Sequence, residues 1–114
     1  PGFDTEIIKY AKENNFSYIP GVSTASEIIS CLKFDCKFLK LFPAEPLGGI
    51  SYLNSLSGPF PDVLFCPTGG INSGNYLSWL SQKNVLCVGG SWIAPKNDNN
   101  YDEIKKRALE VLKN

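Results

Sequence analysis

Four short apolar runs alternate with segments of helical periodicity along the 114 residues, and this alternation constrains the fold more than any other feature. The runs are residues 16–19, 37–42, 62–66 and 84–88. Their centres, near Ile19, Leu39, Leu64 and Leu86, lie 20, 25 and 22 residues apart. Turn-forming residues stop each run: Pro20-Gly21, Pro43, Pro67 and Gly89-Gly90. Runs that are apolar at nearly every position suit strands covered on both faces. Strands and helices alternating at this spacing predict an α/β fold with a parallel sheet and right-handed crossovers. Eight such units would need somewhat under ~200 residues, near the short end of barrel lengths. Only four are present, so the length fits one domain or part of one.

The helical segments carry their own boundary signals. Asp4 is placed to cap a helix with Ile7, Ile8 and Ala11 on one face. Thr24-x-x-Glu27 reads as a capping box opening a helix with Ala25, Ile28, Ile29 and Leu32 inward. After the loop 44–49, Ile50, Leu53 and Leu56 mark a helix that Gly58 would end as a C′ glycine. Asn72 is expected to cap the next helix, with Ile71 and Tyr76 as a hydrophobic staple. Residues 95–100 read as a polar loop. The last helix is expected from about Tyr101, with Ile104, Ala108, Val111 and Leu112 inward and Lys105, Lys106 and Lys113 outward. Lys105, Lys106 and Arg107 read as a solvated face.

Charge and composition exclude several functions. Eleven Lys+Arg balance eleven Asp+Glu, and no basic run is present, so the electrostatic footprint of a nucleic-acid binder is missing. No apolar stretch approaches the ~20 residues of a membrane span, and no signal peptide opens the chain. Histidine is absent, which removes Ser-His-Asp and Cys-His catalysis and the commonest metal ligand. Cys31, Cys36, Cys66 and Cys87 form no C-x-x-C, so no zinc site is expected. Free thiols of this kind point to a reducing, cytoplasmic compartment.

Lys40 is the most informative residue. Strand side chains alternate, so Phe38, Lys40 and Phe42 share one face while Leu39 and Leu41 face the helices. Lys40 would then point into a barrel interior or cleft between two phenylalanines. Burial disfavours an ammonium group, and a neutral amine attacks carbonyl carbon to form a Schiff base. The rival reading is an edge-strand lysine reaching water. Two glycine turns follow the third and fourth strands, Thr68-Gly69-Gly70 and Gly89-Gly90-Ser91. Glycine lets backbone N–H groups approach a phosphate, although either turn alone reads equally as an ordinary turn. Thr68 would offer a hydroxyl to substrate or cap a turn. Glu45 is an acid/base candidate or a loop carboxylate, and Trp79 and Trp92 are packing residues.

These motifs together resemble a known family. Phe38-Leu39-Lys40-Leu41-Phe42-Pro43-Ala44-Glu45 followed by Gly48-Gly49 is similar to the Schiff-base signature of the 2-keto-3-deoxy-6-phosphogluconate (KDPG) and 2-keto-4-hydroxyglutarate (KHG) aldolases. Phe65-Cys66-Pro67-Thr68-Gly69-Gly70-Ile71 resembles that family's seventh-strand motif, and Val85-Leu86-Cys87-Val88-Gly89-Gly90-Ser91-Trp92 its eighth. Ile19-Pro20-Gly21-Val22-Ser23-Thr24 resembles the fifth strand and turn, and Pro1-Gly2 the end of the fourth. One departure is visible: the signature usually has glycine five residues before the lysine, where this chain has Asp35.

The resemblance implies a (β/α)8 TIM barrel of which residues 1–114 form the C-terminal portion, strands five to eight. It implies a class I aldolase without metal or cofactor that splits KDPG into pyruvate and glyceraldehyde 3-phosphate, or 4-hydroxy-2-oxoglutarate into pyruvate and glyoxylate. Lys40 would form the imine. Phe42 would wall the pocket, and Thr68 would contact the substrate near the reacting carbons. Gly69, Gly70, Gly89, Gly90 and Ser91 would hold the phosphate, and Pro1 would lie near the pyruvyl end. The family's base is a second-strand glutamate and its carboxylate ligand an arginine, and neither matches a position in this chain. The 114 residues alone are therefore expected to be inactive, and the full protein a homotrimer. The alternative is a barrel that binds sugar phosphates without catalysis.

Overall fold

The structure, a computed structural model, describes residues 1–112. It contains α1 (Thr5–Glu13), β1 (Gly21–Val22), α2 (Ala25–Leu32), β2 (Phe38–Leu41), α3 (Gly49–Ser57), β3 (Leu64–Pro67), α4 (Tyr76–Leu80) and α5 (Tyr101–Leu112). The three strands form a parallel sheet in the order β1-β2-β3. Gly21 pairs with Lys40, Lys40 with Cys66, and Leu41 with Pro67.

Burial alternates along β2 as the pleat requires. Leu39 and Leu41 are fully buried beneath the helices, while Phe38, Lys40 and Phe42 are half-buried on the other face. Val63 and Phe65 continue the buried row, and Ile8, Ile28, Cys31, Leu53, Leu56 and Trp79 pack on it. Burying a side chain of leucine size contributes roughly 1.5–3 kcal/mol, so this single helix-covered face carries the hydrophobic stability of the sheet.

Two of the expected strands differ. Residues 16–19 form no strand: Phe16 and Ile19 are exposed, and pairing begins only after Pro20, at Gly21. The apolar run therefore approaches the sheet without a partner. The fourth expected strand, 84–88, is reduced to two isolated bridges, Phe65 with Val85 and Thr68 with Gly89. Between those bridges β3 has two residues and the opposing segment three. One extra residue breaks the ladder as a bulge does. Val85 and Val88 pack against the core, while Leu86 and Cys87 are both exposed.

The helix starts follow the capping signals closely. Asp4 Oδ1 accepts the N–H groups of Glu6 and Ile7 at 2.8 and 3.2 Å. The capping box of α2 is complete: Glu27 N–H donates to Thr24 Oγ1 (3.3 Å), and Thr24 N–H donates to Glu27 Oε2 (2.8 Å). The inward faces are narrower than the spacing implied. Ile7, Ala25 and Ile29 are exposed, and Ile8 with Ala11, then Ile28 with Cys31, form the buried pairs.

Four local expectations are corrected. Gly58 ends α3 in right-handed conformation (φ −62°), so it is not a left-handed C′ residue. Asn72 does not cap a helix. Its Oδ1 accepts Gly74 N–H (2.8 Å) in a turn, and α4 starts behind Asn75, which makes Tyr76 the first helical residue and removes the staple geometry. Leu112 is exposed, because α5 only leans on the body of the chain and buries no residue completely. Arg107 leaves the solvated face: its Nε donates to Ile93 O (2.8 Å), and its guanidinium pairs with Asp98. Lys105 and Lys106 are exposed as expected, and Lys113 lies outside the described residues.

Asp35, the departure from the family signature, has φ +56°. That is the left-handed region, which glycine enters freely and aspartate tolerates better than most residues. The substitution thus keeps the backbone path into β2.

Cys31 is fully buried, and burial pushes its thiol up from 9.0 to about 11, with Cys36 and Glu27 adding to the effect. The folded state therefore holds this proton to higher pH than the unfolded state. The associated stability is complete below about pH 9 and is lost between pH 9 and about 11. Ellman's reagent at pH 8 should leave Cys31 unmodified in the folded protein and react with it on addition of denaturant. Modification of Cys31 at equal rates in both states would contradict this burial.

Candidate active site

Lys40 stands on the middle strand, so the edge-lysine reading is excluded. Its Nζ lies 5.5 Å from the centroid of the Phe42 ring. No carboxylate lies within ion-pairing distance of it among the described residues. A lysine on an open sheet face without an ionic partner has a nitrogen lone pair that, once deprotonated, is sterically available to an electrophile. Across the row, Lys40 is flanked by Gly21 on β1 and Cys66 on β3.

Polar contacts hold the carboxyl end of β2. Ser23 Oγ donates to Phe42 O (2.5 Å), and Tyr52 Oη donates to Ser23 O (2.7 Å). Beyond the cis Phe42–Pro43 peptide, Ala44 N–H donates to Thr68 O (2.8 Å) and Glu45 N–H to Gly69 O (3.0 Å). The loops leaving β2 and β3 are thereby sewn together. Sequence reasoning missed Ser23 and Tyr52. A hydroxyl immediately after a strand, beside the capping threonine, was the available signal for Ser23, whereas Tyr52 carries none.

Past the strand ends lies a cavity of about 390 Å³ lined by Phe42, Thr68, Gly69, Gly70, Ile71, Gly90 and Ser91. Both glycine turns and the expected substrate threonine thus meet in one place. The backbone N–H groups of Gly70, Ile71, Gly90 and Ser91 donate to no protein acceptor among the described residues. Clustered unpaired N–H groups favour an anion. Gly69 (φ +99°) and Gly70 (φ +83°) hold the left-handed conformations that shape the first turn.

Two expected site residues stand apart from the cavity. Gly89 N–H is committed to Pro67 O (2.9 Å), and a Cβ at Gly89 would meet Thr68 Oγ1 at 2.5 Å. Gly89 therefore makes room for Thr68 instead of lining the cavity. Pro1 is exposed beside β1, where Gly2 O accepts Gly21 N–H (2.9 Å). Its carbonyl sits against Gly21, where an added Cβ would collide with it, and Pro1 does not line the cavity. A larger cleft, about 560 Å³, opens at the other end of the strands near Leu64, Lys83 and Asn84. Its lysine, Lys83, is exposed in a turn outside the sheet.

Glu45 is a loop carboxylate. Its Oε1 accepts Trp79 Nε1–H (2.7 Å) and Asn75 Nδ2–H (3.3 Å), which directs it toward α4. Trp79 is fully buried, as expected of a packing residue, and Trp92 stacks obliquely on Tyr76 at 5.7 Å.

A parallel βα layer with a lysine on its open face, and unpaired N–H groups beyond the carboxyl ends of its strands, defines the class: an α/β protein built as part of a barrel, with its candidate site at the strand ends. Residues 1–107 match the family model for KDPG and KHG aldolase. The chain belongs to that family. It is 44% identical to the KHG/KDPG aldolase of Escherichia coli K12 over 98% of this chain and 54% of that protein. It is 39% identical to the 2-dehydro-3-deoxy-phosphogluconate aldolase of Pseudomonas aeruginosa over 98% of this chain and 52% of that one. The chain thus spans about half the length of the curated relatives it matches. Among solved structures, it resembles the KDPG aldolase from Legionella pneumophila with pyruvate captured as a covalent carbinolamine (TM-score 0.92, 42% identity, 97% of this chain and 55% of that one). The Zymomonas mobilis enzyme with 3-phosphoglycerate is also similar (TM-score 0.88, 36% identity, 96% and 51%). No helix among the described residues is long and apolar enough to cross a membrane.

Proposed function

We propose that the protein carrying this chain is a class I aldolase that cleaves 2-keto-3-deoxy-6-phosphogluconate to pyruvate and glyceraldehyde 3-phosphate, with 4-hydroxy-2-oxoglutarate as a second substrate. The chain supplies the last four βα units of a (β/α)8 barrel, and Lys40 supplies the imine nitrogen. The observation that carries this reading is the placement of Lys40 on the open sheet face next to Phe42, which itself lines the anion cavity.

In this reading the Lys40 amine attacks the substrate ketone carbon to give a carbinolamine. Loss of water gives a protonated imine, which acts as an electron sink. A base removes the C4 hydroxyl proton, the C3–C4 bond breaks, and its electron pair moves into the imine to leave an enamine. Glyceraldehyde 3-phosphate departs. The enamine takes a proton at C3, and hydrolysis releases pyruvate. Thr68 contacts the substrate near the breaking bond. The N–H groups of Gly70, Ile71, Gly90 and Ser91 bind the phosphate, with Gly69 and Gly89 shaping the turns. Pro1 stands near the pyruvyl end. The base is the family's second-strand glutamate, which matches no position in these residues. Glu45 is not that base, since its carboxylate is engaged with Trp79 and Asn75.

The test uses the full-length protein, pyruvate and borohydride. Reduction of the imine should leave a stable three-carbon label on Lys40, located by peptide mapping. A label on Lys37, or none, would overturn the assignment. Protection by phosphate without any adduct would favour the non-catalytic sugar-phosphate-binding reading.

A further inference from the structure

We propose that Glu45 is a positioning residue that turns the first glycine turn toward its anion, acting through Asn75. This rests on the reading of the strand-end cavity as a phosphate site. Trp79 is fully buried, so its indole N–H requires an acceptor, and Glu45 Oε1 at 2.7 Å provides it. The same oxygen accepts Asn75 Nδ2 at 3.3 Å. Asn75 Nδ2 also donates to Gly70 O (3.0 Å), and Asn72 Nδ2 donates to that carbonyl at 3.2 Å.

The Gly70 carbonyl is therefore held by two side-chain amides. In a trans peptide the C=O and the following N–H point in opposite directions. Fixing the Gly70 carbonyl on the asparagines aims the Ile71 N–H away from them. That N–H has no protein acceptor among the described residues, and Ile71 lines the cavity. The backbone closes the other side of the brace, because Glu45 N–H donates to Gly69 O at 3.0 Å. Packing is tight enough that a Cβ on Gly70 would meet Glu45 Cβ at 2.5 Å. Glu45 thus links the strand carrying Lys40 to the turn carrying the anion donors.

The role needs a hydrogen-bond acceptor and not a charge, which separates it from acid/base chemistry. Glu45→Gln keeps an acceptor of the same shape, and Glu45→Ala removes it. In the full-length protein, thermal shift with inorganic phosphate, and with 3-phosphoglycerate, should give a wild-type apparent affinity that Glu45→Gln retains. Glu45→Ala should weaken it by about tenfold or more. Trapping of pyruvate on Lys40 by borohydride, which needs no phosphate, should proceed at the wild-type rate in both variants. Equal phosphate affinity in Glu45→Ala and wild type would overturn the proposal, and so would equal losses of phosphate affinity and pyruvate trapping, the mark of general misfolding. A Glu45→Gln variant as weak as Glu45→Ala would also overturn it. Wild-type protein that traps no pyruvate but binds phosphate in this Glu45-dependent way would refute the aldolase reading and leave the positioning role intact. Wild-type protein unaffected by either phosphate compound would refute the positioning role.

Discussion

Replacing Lys40 with alanine in the full-length protein should lower kcat/KM for KDPG cleavage by about 10⁴-fold or more, the scale seen when an enzyme loses its covalent nucleophile. The fold should survive the change. Lys40 is half-buried on the open face and makes no ion pair among the described residues, and the fully buried neighbours Leu39 and Leu41 belong to the opposite face. Substitutions away from buried contacts usually alter stability by no more than ~0.5 kcal/mol. Lys40→Arg should be equally inactive, since a guanidinium stays protonated and offers no free amine. Lys37 provides the internal control: it lies on the same segment, outside β2, and is exposed. Lys37→Ala should turn over at close to the wild-type rate. Near-normal cleavage by Lys40→Ala would remove the imine mechanism altogether.

This prediction rests on a residue legible from sequence, and the reason is physical. A strand with period-two burial assigns faces by position alone, so a lysine between two phenylalanines and out of phase with Leu39 and Leu41 had to face away from the helices, while the strand order decided between cleft and edge. The glycine turns were legible as turns for a similar reason, since glycine is conspicuous where the chain reverses. The capping box at Thr24 and Glu27 was readable because it is local. What failed depended on partners distant in the chain. The run 16–19 has strand composition but meets nothing to pair with. The segment 84–88 has strand composition too, yet one extra residue opposite β3 breaks its ladder, and composition cannot reveal a register mismatch. Arg107 looked solvated because its acceptors, Ile93 O and Asp98, belong to a loop without regular structure. Glu45 had two readings for the same reason: Trp79, its decisive partner, lies 34 residues away.

Gly70→Ala should be the most damaging change outside Lys40, and for an unrelated cause. Gly70 has φ +83°, and an added Cβ would lie 2.5 Å from Glu45 Cβ and 2.6 Å from its Cγ. Backbone strain of this kind costs of order 1–3 kcal/mol. Relief requires either the turn or the Glu45 loop to move, and Glu45 is anchored to the buried Trp79. The turn should therefore yield, carrying the Ile71 N–H and its own N–H out of line with the anion. The expected result is a lowered melting temperature together with loss of stabilisation by phosphate. Pyruvate trapping on Lys40 should persist in the molecules that remain folded, because the lysine is set by β2 and not by this turn. Gly58→Ala is the matched control: its φ is −62°, and an added Cβ there meets nothing within 4 Å. That variant should keep both phosphate binding and the melting temperature, with any change toward higher stability. If Gly70→Ala were to bind phosphate as well as Gly58→Ala does, the turn would not be the anion site, and the unpaired N–H groups around it would need another explanation.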